Sequence, residues 1–292
     1  LEPILVDYDL ETHNIDVNQV ILNLPKASAL IFAHTLGNPV VSMLMYAIAA
    51  TYNVPIIEDC CEAVGSKLNG RYVGSQSKLG TYSFYPSHQM TALGGGGMVV
   101  TDDDKLILKL KSLRDWGKVW DWESGLTDYK TKYDFNGYFK QYTYETLGYN
   151  MKLPEANAAF GRVQLKRLDG FRERRIENYT YLRKQLSDLS EQLYEVNAHY
   201  TSEASWFGYP LTLKDGDRNK FSDFLESKGI RTRPFFAGNL TKHKPFIKYR
   251  QDFPVADKLM KDSLFIGVWQ GITKDELNYV SGVIHEYFAN GR

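Results

Sequence analysis

Thiols are nearly missing from this chain. Of 292 residues only Cys60 and Cys61 are cysteines, and they are adjacent. That excludes a disulfide framework and fits a reducing compartment, so a cytoplasmic location is expected. Net charge is missing as well: Lys plus Arg and Asp plus Glu stand at 35 each. No overall field draws the protein to nucleic acid or to an anionic membrane, and any anionic ligand has to be held by local groups. No apolar run approaches the roughly 20 residues that span a bilayer, so no membrane partner is expected. The N-terminus has no basic stretch leading into a hydrophobic one, and the chain carries neither an internal repeat nor a low-complexity segment.

What is present is enough chain for two lobes, because single cores stop growing at roughly 250–300 residues. Up to about Val100, short apolar runs (Ile4–Val6, Ala29–Phe32, Pro55–Ile57, Thr81–Tyr85, Met98–Val100) alternate with helical stretches near Asp16–Leu24 and Val40–Tyr52. Such alternation predicts βαβ units around a mainly parallel sheet, whose ligands sit beyond the carboxyl ends of the strands. Leu1 to Asp9 already reads as a strand, so the chain is expected to begin inside a domain, as an N-terminally truncated piece. Asp102-Asp-Asp-Lys105 reads as a turn and helix start rather than a metal site. Trp116–Tyr144, rich in aromatic, Gly and charged residues without a period, reads as a long excursion. Apolar spacing predicts helices over Pro154–Leu168 and Phe171–Leu189, broken at Gly170. Strands near Trp206–Leu213 and Arg231–Phe235 then alternate with helices near Arg218–Lys228 and Lys274–Phe288. The expected division is a large cofactor-binding part over 1–168, and a linking helix with a small C-terminal α/β domain over 169–292.

Ile56-Ile-Glu-Asp-Cys-Cys-Glu-Ala-Val-Gly-Ser66 reads as a buried strand ending in acids. Thr81-Tyr-Ser-Phe-Tyr-Pro-Ser-His-Gln-Met-Thr-Ala-Leu-Gly-Gly-Gly-Gly97 follows the next strand. From the residues alone, Asp59 is either a carboxylate beyond a strand end or a helix cap, Glu62 a site acid or a surface one, and Ser83 a ligand hydroxyl or an ordinary strand residue. His88 is a base or a structural imidazole. Together with Ala33-His-Thr-Leu-Gly-Asn-Pro39, Arg114-Asp-Trp-Gly117, Tyr142–Asn150, Ser205-Trp-Phe-Gly-Tyr-Pro210 and Phe236–Leu240, these segments resemble the DegT/DnrJ/EryC1/StrS sugar aminotransferase family over essentially the whole chain. The likeness is to its histidine-bearing branch, the nucleotide-4-keto-6-deoxyhexose 3-dehydratases, and within that branch to the CDP-sugar enzymes of dideoxysugar and lipopolysaccharide synthesis.

The resemblance implies a type I pyridoxal-phosphate transferase fold, α/β in class, and a homodimer with shared active sites. It implies pyridoxamine 5'-phosphate (or pyridoxal 5'-phosphate) as cofactor and a nucleotide sugar as substrate. Asp59 would pair with the pyridine nitrogen, Glu62 would face the ring hydroxyl, Ser83 would hold the phosphate, and Asn150 would reach the phosphate from the neighbouring subunit. His88 stands in the slot of the Schiff-base lysine, and no lysine lies between Lys78 and Lys105. An imidazole there can move a proton without attaching the cofactor covalently, which turns transamination into dehydration at carbon 3. Trp206, Arg231, Arg233 and Lys242 are candidate substrate contacts. Two departures stand out. The CDP-sugar enzymes carry four cysteines for a 2Fe-2S cluster in the excursion, whereas here Val119–Lys132 has none, so no iron–sulfur cluster and no metal are expected. Gly95 stands where relatives carry Glu. An ordinary nucleotide-sugar aminotransferase and a non-catalytic relative are the alternatives.

Overall fold

A computed structural model of the protein describes residues 1–119 and 142–290. In the N-terminal half, α1 (Val17–Asn23) is started by Asp16, whose carboxylate accepts from the Asn18 and Gln19 amides. β1 (Leu30–Ala33) follows. α2 (Met43–Thr51) is capped by the Ser42 hydroxyl, and β2 (Ile56–Asp59) runs parallel to β1. After the short strands β3 (Lys67–Leu68) and β4 (Arg71–Tyr72) come β5 (Leu79–Ser83) and β6 (Gly97–Val100), giving a sheet in the order β1-β2-β5-β6. β1, β2 and β5 are parallel and β6 is antiparallel to β5. α3 (Asp104–Arg114) starts at Asp103, as the acidic run predicts, and α4 (Glu155–Leu165) buries none of its residues.

The C-terminal half begins with α5 (Leu168–Gln185), followed by β7 (Leu193–Tyr194), β8 (Ser202–Glu203), β9 (Gly208–Leu213), α6 (Arg218–Ser227), β10 (Thr232–Pro234), α7 (Pro254–Asp262), β11 (Ser263–Gly267) and α8 (Lys274–Asn290). Its sheet, β10-β11-β9-β7, is wholly antiparallel. Every residue of β9 and the first four of β11 are buried. Leu211, Leu213, Phe221, Leu225 and Ile284 fill the core between sheet and helices, each contributing about 1.5–3 kcal/mol by burial. β8 pairs with β3 and so ties this half to the first.

Three expectations change. Ile4–Val6 forms no strand, because the chain there is held by side chains instead of a ladder. The Asp7 amide donates to Gln19 Oε1 at 3.0 Å, and the Asp7 carboxylate accepts from the Val255 and Ala256 amides at 3.0 and 2.8 Å, satisfying the first turn of α7. The helix break falls at Lys166–Arg167 and not at Gly170, which lies within the first turn of α5. The central strand of the second sheet, β11, has no counterpart in the sequence reading; neither does α7 before it, although Pro254 at its first turn is a helix-start signal.

Candidate active site

Side chains alternate across a strand, and β2 uses this to send Glu58 and Asp59 to different surroundings. Glu58 is 1 % exposed. Its carboxylate accepts from His34 Nε2 (2.9 Å), Tyr46 Oη (2.9 Å) and the Gly74 amide (2.6 Å). His34 Nδ1 accepts from the Val40 amide at 2.9 Å, which fixes the ring as the Nε2–H tautomer. Burial pushes the Glu58 carboxyl up, but His34, the Gly74 amide and Tyr46 together hold it below the ordinary carboxylate range. Cys60 Sγ approaches His34 and Glu58 closely enough for the three to frame a metal. Their donors and acceptors are already matched, however, and burial holds the thiol far above its usual range, so the group reads as a hydrogen-bonded brace.

Asp59 stands in register with Thr81 of β5, and Ser83 lies two residues further along the same face. Asp59 Oδ1 accepts from the Cys61 amide at 3.0 Å. The Cys61 thiol lies against Asp59 and Thr81, and burial, then Asp59, push it up to about 12. Ser83 Oγ accepts from the Tyr85 amide at 3.3 Å.

Glu62 Oε2 accepts from the Leu36 amide at 2.9 Å. Burial lifts this carboxyl to about 7, against the pull of that amide and with a smaller push from Asp59. Leu36 adopts φ +53, and Gly37, at φ +86, leaves no room for a side chain: a Cβ there would sit 2.2 Å from the Ser205 carbonyl oxygen. Gln89, next to His88, donates from Nε2 to the carbonyls of Glu62 and Ser205, and so draws the histidine turn onto the Glu62 segment.

His88 is half-buried, folded back by a hydrogen bond from its amide to the Tyr85 carbonyl at 3.0 Å. Its Nδ1 is buried without a partner among the described residues, and its ring packs on Phe207 with centroids 5.4 Å apart. Burial lowers the basicity of the imidazole, the Asp59 carboxylate opposes that, and the Arg175 guanidinium adds to it. The balance keeps the ring neutral at neutral pH, the state in which it accepts a proton.

The structure therefore brings Asp59, Glu62 and His88 together beyond the carboxyl ends of β2 and β5, within electrostatic reach or linked through Gln89, and places Ser83 at the end of β5, two residues past the partner of Asp59. It does not bring Asn150 there: that residue is bridged to Asp115 at the end of α3 and is exposed. Among the candidate substrate contacts, Trp206 is corrected. It is 4 % exposed and stacked on Tyr179 at 3.7 Å and 4°, a core residue with no face left for a ligand. Lys242 is paired with Asp257 at 2.7 Å, while Arg231 and Arg233 are exposed. The cysteine-free stretch of the excursion lies almost wholly outside the described residues. Glu58, Arg175 and Phe207 are additions that the sequence reading did not make. Two hollows of about 870 and 710 Å³ lie elsewhere, and neither is lined by any of the four converging residues.

A parallel sheet with an acid at one strand end, a hydroxyl at the next and a second, antiparallel sheet behind them is the architecture of the aminotransferase fold. The solved Escherichia coli GDP-4-keto-6-deoxy-D-mannose-3-dehydratase with bound hydrated PLP superimposes with a TM-score of 0.82 at 28% identity, over 95% of this chain and 72% of that one. The model of the DegT/DnrJ/EryC1/StrS aminotransferase family matches residues 1–285, and the chain belongs to that family. It is 37% identical to the lipopolysaccharide biosynthesis protein RfbH of Salmonella typhimurium, covering 99% of this chain and 69% of the relative. Identity to the dTDP-4-dehydro-2,6-dideoxy-D-glucose 3-dehydratase of Saccharopolyspora spinosa is 35%, covering 99% of this chain and 65% of that protein. The relatives include both 3-dehydratases and sugar aminotransferases. No helix among the described residues is long and apolar enough to cross a membrane.

Proposed function

We propose that the protein is a pyridoxamine-phosphate-dependent 3-dehydratase of a nucleotide-linked 4-keto-6-deoxyhexose, acting in deoxysugar or lipopolysaccharide biosynthesis. The observation that carries this reading is a half-buried imidazole at His88, within electrostatic reach of Asp59 and with Nδ1 unpartnered among the described residues, in a stretch with no lysine between Lys78 and Lys105. The donor set suits the cofactor: a carboxylate at one strand end, a hydroxyl at the next, an acid that titrates near neutrality and a buried imidazole nitrogen with no partner of its own. When bound, pyridoxamine phosphate supplies the amine that condenses with the 4-keto group and the ring that accepts electrons as the hydroxyl at carbon 3 leaves.

In this reading Asp59 keeps the pyridine nitrogen protonated and Glu62 faces the ring hydroxyl. Ser83 donates its hydroxyl to the phosphate. His88 would accept a proton at its imidazole and return it to the departing hydroxyl. Residues 1–168 form the cofactor-binding part and 169–292 the linking helix and smaller domain. Asn150 acts across a homodimer, a role suited to its exposed position beside Leu147, Tyr149 and Met151, which are 94%, 61% and 62% exposed. Those neighbours form an apolar strip of the kind that marks an interface.

The test is His88→Asn. The variant is expected to keep cofactor affinity and to lose dehydration of a 4-keto-6-deoxy nucleotide sugar by about 10²–10⁴-fold, the size of a general-base contribution. His88→Lys is expected to give a covalent, borohydride-reducible adduct with pyridoxal phosphate, which the parent does not form. An Asn variant as fast as the parent removes His88 as the base.

A further inference from the structure

Ser205-Trp-Phe-Gly-Tyr-Pro210 belongs to the pattern seen in the sequence, yet no role in the reaction has so far been attached to it. Its first three residues are pinned from several sides. The Ser205 amide donates to Ser66 Oγ at 2.8 Å, and its carbonyl accepts from Gln89 Nε2 at 2.8 Å. Arg175 Nη1 donates to the carbonyls of Trp206 (2.9 Å) and Phe207 (3.3 Å), and Arg175 Nε donates to Gln270 Oε1 at 3.0 Å. The Phe207 amide donates to the Leu36 carbonyl at 2.8 Å. With its backbone held at both ends, Phe207 projects its ring onto His88, with Phe265 behind it at 5.7 Å between centroids.

Two facts give this arrangement a purpose. The imidazole of a base is ordinarily oriented by a hydrogen bond at its second nitrogen. His88 Nδ1 has none among the described residues, so packing has to set the ring. Arg175 is 3 % exposed, and none of its hydrogen bonds among the described residues is to a carboxylate. A buried cation without a counter-ion is expensive for stability alone. The same guanidinium lies near enough to His88 to disfavour its protonation.

We propose that Phe207 is the orienting partner of the His88 imidazole, and that Arg175 is a positioning residue acting through it. The proposal rests on His88 being the base. The experiment is NMR of the histidine-labelled protein, with His88 assigned by its absence in His88→Asn, alongside steady-state kinetics. Phe207→Leu keeps the apolar bulk and removes the ring. Its His88 carbon-bound protons are expected to leave their ring-current-shifted positions, and kcat to fall about 10²-fold, as for an ångström-scale misplacement, with KM and cofactor affinity within about twofold. Arg175→Lys keeps the charge and loses the fork to both carbonyls. It is expected to shift the same signals and lower kcat while leaving the titration of His88 near the parent's. Arg175→Gln is expected to raise that titration as well. If Phe207→Leu does not fold, Arg175→Lys carries the test. His88 signals and titration unchanged in the folded variants overturn the proposal, even if the thermal midpoint drops. Signals that move while turnover does not would uphold the orienting role and overturn His88 as the base.

Discussion

Glu58 and Asp59 share a peptide bond and have opposite surroundings. Glu58 is sealed and receives three hydrogen bonds, from His34, Tyr46 and the Gly74 amide. Asp59 is half-buried, and its carboxylate takes one backbone amide and the Cys61 thiol beside it. A strand can thus build structure with one residue and keep the next in reserve. The same division runs through the vicinal thiols: Cys60 packs with Ala63, Leu68 and Val73, while Cys61 lies against Asp59 and Thr81.

The comparison breaks first at Glu58. Glu58→Ala leaves the His34 Nε2–H, the Tyr46 hydroxyl and the Gly74 amide without their buried acceptor and is expected to cost about 3–5 kcal/mol, read by urea unfolding. Asp59→Asn is expected to stay within about 1 kcal/mol of the parent, because Asn Oδ1 can still accept the Cys61 amide. Its turnover is expected to fall about 10²–10³-fold through the lost charge. Equal destabilisation by both variants, or an active Asp59→Asn, would erase the contrast.

A pH profile sharpens it. His13 is 1 % exposed, with Nε2 3.3 Å from Thr212 Oγ1, and burial lowers its imidazole from 6.5 to about 4, against a smaller opposing pull from Asp9. The unfolded chain therefore binds this proton first as pH falls, so stability drops from about pH 6.5 and levels off near 4, a total of roughly 3 kcal/mol. Glu58 acts in the same direction but lower: its carboxyl is depressed, so its contribution is present above the ordinary carboxylate range and is lost only as pH falls through the folded value. His13→Gln should remove the upper part of the acid slope and leave the lower part. A profile unchanged by His13→Gln would rule out this origin. The smallest effect expected is none: anaerobically purified protein should contain no stoichiometric iron or acid-labile sulfide, since its two cysteines cannot supply four thiolates.

Much of the first sheet was legible, because Leu30–Ala33, Ile56–Asp59, Leu79–Ser83 and Gly97–Val100 are short apolar runs set between helix periods and capping residues. Asp59, Glu62, Ser83 and His88 were legible as a group because strand ends and adjoining turns bring them together. β11 was not, since Ser263–Gly267 follows α7 without a turn residue and its identity as a strand comes from partners at least 30 residues away, in β9 and β10. Neither Phe207 nor Arg175 could be read as neighbours of His88, for their contacts join residues distant in the chain and depend on how two sheets are set against each other. Trp206 failed for the reverse reason: as one of the aromatic and basic residues it was a candidate substrate contact, but the Tyr179 ring already occupies its face.

Leu36 gives its amide to Glu62 and its carbonyl to Phe207, in a left-handed conformation that branched side chains avoid. One residue therefore services both the Glu62 carboxylate and the ring that packs on His88. Anyone reshaping this site inherits that linkage. Substitutions at 36, 62 and 207 will interact non-additively, and a library that varies them one at a time will miss the combinations in which all three move together.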